Sequence, residues 1–509
     1  MEKRLIVAIA LSLLVLLSWS TFVAKTQHID NKPVTAESPK TAVIAKPEIP
    51  KIEPQAAVLI PPEDNTNTVF LTPNLSLTFD DARAAIKEVI FKNYHSHRYP
   101  IQYGFALDDP NLIFKKQSAA GQEITFVHQD RERVIVKRYL FGNSNYTIEL
   151  DISIQNLSSA PLRTKIGLIP VIFNFAVNGN EASYQDLAVS REEKILRPNP
   201  RKPGNWDKIK FLTWRERYFC GVLEPAQPWY SLSLDKIGNQ EFQPVLRSQE
   251  LLLAPGEKIS QKFHIYLGPQ DLPLINSINS EWTVVVNYGA FDFIAQMLIQ
   301  FLGLLHNLMR NWGLTIILLS LAIYFLLYPL TIKQMRSMKA MQALQPRIEQ
   351  LRAANKDNPQ RLNKEIMELY RENKVNPFGG CLPMILQIPI FFALYQVLMR
   401  SVSLKGAPFL WITDLSEPDK LFTLSQKLPL IGDEINILPI LMAITMFLQQ
   451  KLSSKSMSGT SAEQQKIMLI LFPVMFGFIF YRMPSGLVLY WFVNSILMLG
   501  QQILISRNK

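Results

Sequence analysis

The chain is poor in the residues that most enzymes and secreted domains depend on. It has two cysteines in 509 residues, Cys220 and Cys381, too few for a disulfide-stapled scaffold and without the spacing of a metal site. Both read as small buried hydrophobes. Its six histidines are scattered. The closest pair, His95 and His97, lies in an expected loop or strand and reads as surface rather than as metal ligands. No Gly-rich loop ends in Gly-Lys-Ser/Thr, and neither His-Glu-x-x-His nor Gly-x-Ser-x-Gly occurs. Nothing supports an ATPase, a protease, a metalloenzyme or any cofactor, so the chain reads as a non-enzyme. Charge is also scarce, at 19% against 48% hydrophobic residues. The apolar residues cluster at the N-terminus and after residue 290, the pattern of a protein that is part membrane and part soluble. A net charge of +11 could signal nucleic acid, lipid or ribosome. Lys and Arg gathered in loops beside membrane spans explain it with no role for DNA.

The apolar segments organise the rest. Residues 1–24 carry Lys3 and Arg4 before an apolar run from Leu5 to Ala24. This run is long enough to span, and Phe22 is too large for a cleavage site, so an uncleaved anchor is expected. Residues 25–62 hold seven prolines among Lys, Glu, Ala and Thr and read as an extended linker. Residues 63–285 read as a mainly β, sandwich-like domain. From Tyr146 to Asn156, Ile148, Leu150, Ile152 and Ile154 alternate with Thr147, Glu149, Asp151 and Ser153, which predicts a half-buried antiparallel strand. It would pair with Val134–Phe141 across Gly142-Asn143-Ser144-Asn145. Residues 286–310 switch to a helical period, with Phe291, Ile294, Leu298, Phe301, Leu302 and Leu305 on one face. An amphipathic helix lying in the membrane interface is expected. Residues 311–509 then hold five more expected spans, near 312–332, 380–400, 436–452, 467–483 and 485–506.

Charge orients these spans. Residues 333–380 carry ten Lys and Arg, whereas 402–436 carry three against five acids. The positive-inside rule places 333–380, 453–466 and both termini in the cytoplasm, and the β-domain outside it, in a two-membrane bacterium. Within 333–376, Met341, Leu344, Ile348 and Leu351 form one apolar seam and Leu362, Ile366 and Leu369 a second. Asn358 and Pro359 suit a cap and first turn between them. A cytoplasmic helical hairpin is expected, with Met335, Met338, Met341 and Met367 either filling its core or offering a soft contact surface.

Two spans are short, and the spans carry scattered polar groups: Ser320, Tyr324, Gln387, Gln396, Thr445, Asn494, Ser495 and Gln501. Each alone suits an ordinary helix–helix hydrogen bond. Together with short helices they suggest a polar pocket opening partway into the bilayer.

Several motifs carry a resemblance. They are Tyr328-Pro329-Leu330, Asn376-Pro377-Phe378-Gly379-Gly380-Cys381-Leu382-Pro383, Gln387-Ile388-Pro389, Gln464-Gln465-Lys466 and Pro484-Ser485-Gly486 through Tyr490-Trp491. In order and spacing they resemble the YidC insertases across about residues 310–506, and the N-terminal half is similar in architecture to the Gram-negative branch. The resemblance implies six transmembrane helices, five of them forming an insertase core, with an all-β periplasmic supersandwich domain and a cytoplasmic helical hairpin. It implies a hydrophilic groove open to cytoplasm and lipid, for which Ser320, Tyr324, Gln387, Thr445, Tyr490 and Trp491 are the candidates. Lipid contact or core packing is the plain alternative for the last two. Tyr328, Pro329, Asn376, Pro377, Gly379, Gly380, Pro383, Pro389, Pro484 and Gly486 are implied structural motif residues. The implied partners are nascent membrane-protein clients, the Sec translocon, the ribosome through the basic loops and tail, and the bilayer. One position departs from the pattern: family members usually carry an arginine four residues before Tyr-Pro-Leu, and here Tyr324 stands there, uncharged at pH 7. Two other readings compete. A solute transporter should show repeat symmetry between halves, and none is visible. A membrane-tethered sugar-binding protein would need paired Glu and His residues in one cleft of the β-domain.

Overall fold

The computed structural model of the protein describes residues 66–142, 146–175, 184–192, 194–227, 230–355, 358–373, 375, 382–428, 432–454 and 461–507. The expected anchor 1–24 and linker 25–62 lie outside the described residues. The chain divides into two compact units between Asn287 and Tyr288.

The first unit is β-rich. Asn67–Leu71, Leu75–Asp80, Ala85–Phe91 and His97–Gly104 form a four-stranded antiparallel sheet in chain order, and most later strands join one fourteen-stranded sheet. Aromatic side chains lock the two sheets face to face. Phe79 meets Phe126 at 5.5 Å and Tyr139 at 5.1 Å, and Phe91 stacks on Phe219 at 3.9 Å. Thr147–Asn156 pairs with Arg133–Phe141 on one side and Lys258–Pro269 on the other. Ile148, Leu150, Ile152 and Ile154 are buried as their alternation requires. The strand is not half-buried, however: Asp151 and Ser153, on the opposite face, are covered too. Asp151 is flanked from both neighbouring strands, by the Arg138 guanidinium at 3.0 Å and the Ser260 hydroxyl, so long side chains close over the polar face. Cys220 is fully buried, and burial pushes its thiol up, away from the reactive thiolate. His97 opens a strand and stacks on Phe219.

Lys137 sits at the centre of this unit with no exposure. Its Nζ donates to the carbonyls of Ala84 and Phe105, both at 2.6 Å. These two residues have left-handed backbones, with φ of 47° and 63°, conformations that cost energy outside glycine. Tyr139 donates to the Ala84 carbonyl as well, at 2.8 Å. The lysine therefore holds two strained carbonyls together. Desolvation pushes its amine well below the usual lysine range.

The second unit is helical: α1 (Asp292–Met309), α2 (Trp312–Ala343), α3 (Gln345–Ala354), α4 (Pro359–Glu372), α5 (Leu382–Arg400), α6 (Leu438–Ser454), α7 (Ser461–Phe480) and α8 (Ser485–Arg507). Helix α8 is the hub, packed against α6, α2 and α5, while α1 packs on α5 and α2, and α7 on α6. Helices α3 and α4 pair through Leu344, Ile348 and Leu369. The Asn358 side chain caps α4 by accepting the Arg361 amide at 3.1 Å, with Pro359 in the first turn. The expected arm 333–376 is continuous with α2 at its start. Residues 333–343 continue α2 unbroken, since no breaker stands before Leu344-Gln345-Pro346, and Met335 and Met338 therefore belong to α2. Helix α1 also departs from a one-sided pattern. Ala295, Leu302 and Leu305 are buried while Phe293, Met297, Leu304 and Leu308 are exposed. With its preceding turn it is one of three helices among the described residues long and apolar enough to cross a membrane.

Lys137 supplies a test of the β-unit. Between its depressed native pKa and the unfolded value of about 10.4, the unfolded chain binds more protons, so this residue's contribution to stability rises with pH. Lys137→Met should destabilise the unit by about 1–3 kcal/mol by orphaning the Phe105 carbonyl, and should flatten that rise. Denaturant unfolding at pH 7 and pH 9.5 checks both; an unchanged slope would assign the pH dependence elsewhere.

Candidate functional site

The polar groups of the helical unit meet chiefly on α8. Tyr490 and Gln501 lie eleven residues apart on this helix, about three turns and 16 Å, hence on one face. Near the start of α8, Gln387 of α5 donates its Nε2 hydrogen to the Tyr490 hydroxyl at 2.8 Å. Towards its end, the Tyr324 hydroxyl of α2 donates to Gln501 Oε1 at 3.0 Å. Tyr490 is fully buried and Tyr324 and Gln501 nearly so. Two polar bridges at different depths thus join the hub helix to its neighbours.

The other candidates stay within their own helices. Ser320, one turn before Tyr324 and buried, donates to the Ile316 carbonyl at 2.7 Å. Thr445 of α6 donates to the Met442 carbonyl at 2.7 Å. Trp491 belongs to an aromatic cluster, edge-on to Phe391 at 5.1 Å and stacked with Phe476 at 6.0 Å. The structure therefore brings Tyr324, Gln387 and Tyr490 into interhelical contacts but does not join Ser320 or Thr445 to them. Gln501, one of the scattered polar groups of the spans, joins them through Tyr324. Tyr490, Asn494 and Gln501 follow one another at four and then seven residues on α8, which also carries Ser495 and Gln502, and that one-face spacing is the signal that marks it.

The apolar lengths are short. Leu438–Leu452 and the apolar run from Ile467 to Tyr481 each cover about 22 Å at 1.5 Å per residue, against a hydrocarbon core of about 30 Å. At one end of the bundle a loop fixes them. Asp419 Oδ2 accepts the Ile437 and Leu438 amides at 2.9 Å, capping α6, and also the Trp411 indole at 3.1 Å. In the same loop Glu434 pairs with Lys420 at 3.0 Å and pushes its amine up. The turn between α7 and α8 is tied there through Ser485 and Gly486, whose amides donate to the carbonyls of Glu417 and Leu415 at 2.8 and 2.9 Å. A side chain at Gly486 would meet that Leu415 carbonyl at 3.1 Å, so the Pro484-Ser485-Gly486 motif is a packing device.

Pro329 and Pro389 lie inside α2 and α5. Tyr328 is partly exposed, its ring 6.0 Å from Tyr324. Pro383 falls in the first turn of α5. Asn376, Pro377, Gly379, Gly380 and Cys381 lie outside the described residues. Among the described residues no cluster of His, Cys, Asp and Glu could hold a metal.

The β-unit has a separate cleft of about 620 Å³, lined in part by Glu149, Glu224, His264, Asn279 and Trp282. Glu149, His264 and Glu224 stand side by side on three adjacent strands. This is the paired Glu and His arrangement a sugar site would need. Both carboxylates are engaged, however: Glu149 with Lys262 at 2.9 Å, Glu224 with the Trp282 indole at 2.7 Å and Asn279 at 3.3 Å. The row serves to staple strands and the following helical segment.

Two family models together match most of the chain, from residue 68 onward. Residues 68–301 match the YidC periplasmic domain, and residues 304–509 match the 60Kd inner membrane protein. The chain is similar to the membrane protein insertase YidC of Pelobacter propionicus, 31% identical over all of this chain and 99% of that one. It is also similar to that of Syntrophus aciditrophicus, 32% identical over the full length of both. A crystal structure of an active YidC insertase with its first transmembrane domain resolved aligns over 98% of this chain and 99% of that one. Its identity is 21% and its TM-score 0.40.

The bridge between α5 and α8 is measurable. In a double-mutant cycle, Gln387→Leu and Tyr490→Phe should couple by about 0.6–1.7 kcal/mol, read from unfolding in detergent. Additive effects would mean the two side chains act independently.

Proposed function

This chain belongs to the YidC family of membrane protein insertases, and from that premise we propose that it inserts, folds and helps assemble inner-membrane proteins, working alone or beside the Sec translocon. The observation that carries the mechanism is the polar line on α8. Tyr324, Gln387, Tyr490 and Gln501 gather hydrogen-bonding groups on α2, α5 and α8, beside α6 and α7, whose apolar lengths fall short of the bilayer. A polar client tail would use such a groove, open to cytoplasm and lipid, to shorten the hydrocarbon it must cross. The client's apolar segment supplies the driving force, about 0.8 kcal/mol per methylene buried. The membrane potential adds about 2.3 kcal/mol per charge per 100 mV for an acidic tail moving outward.

The topology we propose has six spans, the first at residues 1–24, with both termini and the α3–α4 hairpin in the cytoplasm and the β-unit in the periplasm. Helix α1 lies in the interface and feeds the chain into α2. The basic residues of the hairpin, among them Arg347, Arg352, Arg361, Lys364 and Arg371, and the basic tail suit ribosome contact. A neutral Tyr324 implies that a groove cation is not required for insertion by this protein.

An impermeant thiol reagent tests the orientation in spheroplasts. A cysteine from Ser425→Cys should react in intact cells, and one from Gln360→Cys only after lysis. The reverse pattern would invert the topology.

The activity is tested by inserting a single-span client with an acidic N-terminal tail into liposomes holding only this protein. Protection of the tail from protease, absent in empty liposomes, is the expected result. No protection until Tyr324→Arg is introduced would make a groove charge essential. No protection with either form would leave only a chaperone role beside the translocon.

A further inference from the structure

The loop that caps α6 contains a turn whose residues do not suit water. Phe409 and Ile412 exchange both backbone hydrogen bonds, at 2.8 and 2.9 Å, and so close a two-residue hairpin with Leu410 and Trp411 at its tip. Leu410 has a left-handed backbone, with φ of 52°, at a position where such turns ordinarily use Gly, Asn or Asp. It is 76% exposed, and Trp411 36%. A lone exposed leucine is ordinary. One held in a strained conformation beside an exposed tryptophan is not.

The base of the turn fixes its level. The Phe409 ring fills the space where a Cβ on Gly313 would stand, so the turn packs on the start of α2. Leu314, the next residue of that helix, is exposed, and no Lys, Arg, Asp or Glu occurs from there to residue 332. With α2 spanning the bilayer, its first turn lies where hydrocarbon gives way to headgroups. Ile440, near the start of α6, and Ile479, near the end of α7, are exposed at the same end of the bundle. The tip is thus continuous with the apolar surface that the spans present to lipid.

Chemistry selects the occupant. The one polar group of Trp411 is used within the protein, its Nε1 donating to Asp419 Oδ2 at 3.1 Å. Lipid can therefore cover the rings without orphaning a donor. Tryptophan is also the residue type enriched at membrane–water interfaces.

We propose that the Leu410–Trp411 turn is a lipid anchor: the leucine enters the acyl chains of the leaflet at this end, and the indole lies at headgroup depth. Asp419 accepts from Trp411 and from the first amides of α6, so the anchor also sets the depth at which that short helix begins. The inference rests on the membrane-spanning part of the reading above and not on insertase activity.

The test uses the full-length protein in liposomes. Cys381→Ser leaves a nitroxide only an introduced cysteine to attach to, Cys220 being buried. Collisions of the nitroxide with oxygen, which concentrates in lipid, are compared with those with a water-soluble nickel chelate. A label at Leu410→Cys should favour oxygen, and one at Ser425→Cys, exposed in the same loop, should favour the chelate. A label at 410 that favours the chelate overturns the proposal, as does one shielded from both reagents by a second copy of the chain. A label at Leu326→Cys, exposed within the apolar run of α2, reads the span itself. If it favours the chelate, the membrane-spanning reading fails and the anchor with it, whereas oxygen at 326 with chelate at 410 defeats the anchor alone. Should the labelled cysteine disturb the turn, Trp411→Phe carries the test. Of the fluorescence of eight tryptophans, the substitution should remove a part that lipids brominated high on the acyl chain quench. A quenched component left intact by the substitution overturns the proposal.

Discussion

Hydrocarbon offers no hydrogen-bond partner, and the helical unit is arranged around that shortage. A backbone solves it by closing into helices, but every polar side chain must find a partner of its own. Ser320 and Thr445 do so within their own helices, by donating to a carbonyl one turn back. Such a bond is inexpensive and fixes nothing about neighbouring helices. Tyr324, Gln387, Tyr490 and Gln501 do so across helices. Each of those bonds therefore fixes the rotation of two helices about their axes, which apolar packing against lipid-like surfaces does weakly. Helix α8 belongs to both bridges and consequently acts as the hub.

The β-unit meets the same rule in a different solvent. Water is available at its surface, so charged residues there need no partner, and ion pairs such as Lys208 with Glu192 contribute little. Its interior behaves as the membrane does. Lys137 is fully buried, and its amine is spent on two carbonyls that the chain holds in left-handed conformations. The lysine lets the backbone of Ala84 and Phe105 turn where a regular ladder would leave their carbonyls unpaired. Nothing in the local sequence announces this, since the requirement comes from turns more than thirty residues away.

That difference in range explains what could be read from the chain alone. The alternation in 146–156, the Asn358-Pro359 cap and the paired seams of α3 and α4 are short-range patterns, and they stand in the structure where period and capping chemistry put them. The covered outer face of Thr147–Asn156 was not legible, because Asp151 and Ser153 look like solvent-facing residues until Arg138 and Ser260 arrive from adjacent strands. The first part of the expected arm has a related origin: basic residues begin after 332, while the backbone of α2 has no cause to stop before residue 344. In the candidate site, the polar residues could be found from sequence, but not which of them face one another. Ser320 and Tyr324 look equivalent as members of one helix face, yet one bonds inward to its own turn and the other reaches α8.

The short apolar lengths and the neutral polar line belong to one argument. A charge in hydrocarbon is stabilised only by a counter-charge or by water, and in the insertion mechanism we propose a fixed charge would commit the groove to clients of one sign. A line of hydroxyls and amides is a weaker host but a general one, because it can give or accept a hydrogen bond. A weak host is useful only if the path is short, since each turn of client helix not yet formed exposes several unpaired backbone groups. Beside that line, α6 and α7, with apolar stretches of about 22 Å, would shorten that path by roughly a quarter relative to a full core. In the mechanism we propose, the short α6 and α7 and the neutral dipoles of α2, α5 and α8 thus compensate for one another. Lengthening the spans would demand stronger polar hosts along them, and placing an ion among them would trade the breadth of the client range for tighter capture of a part of it.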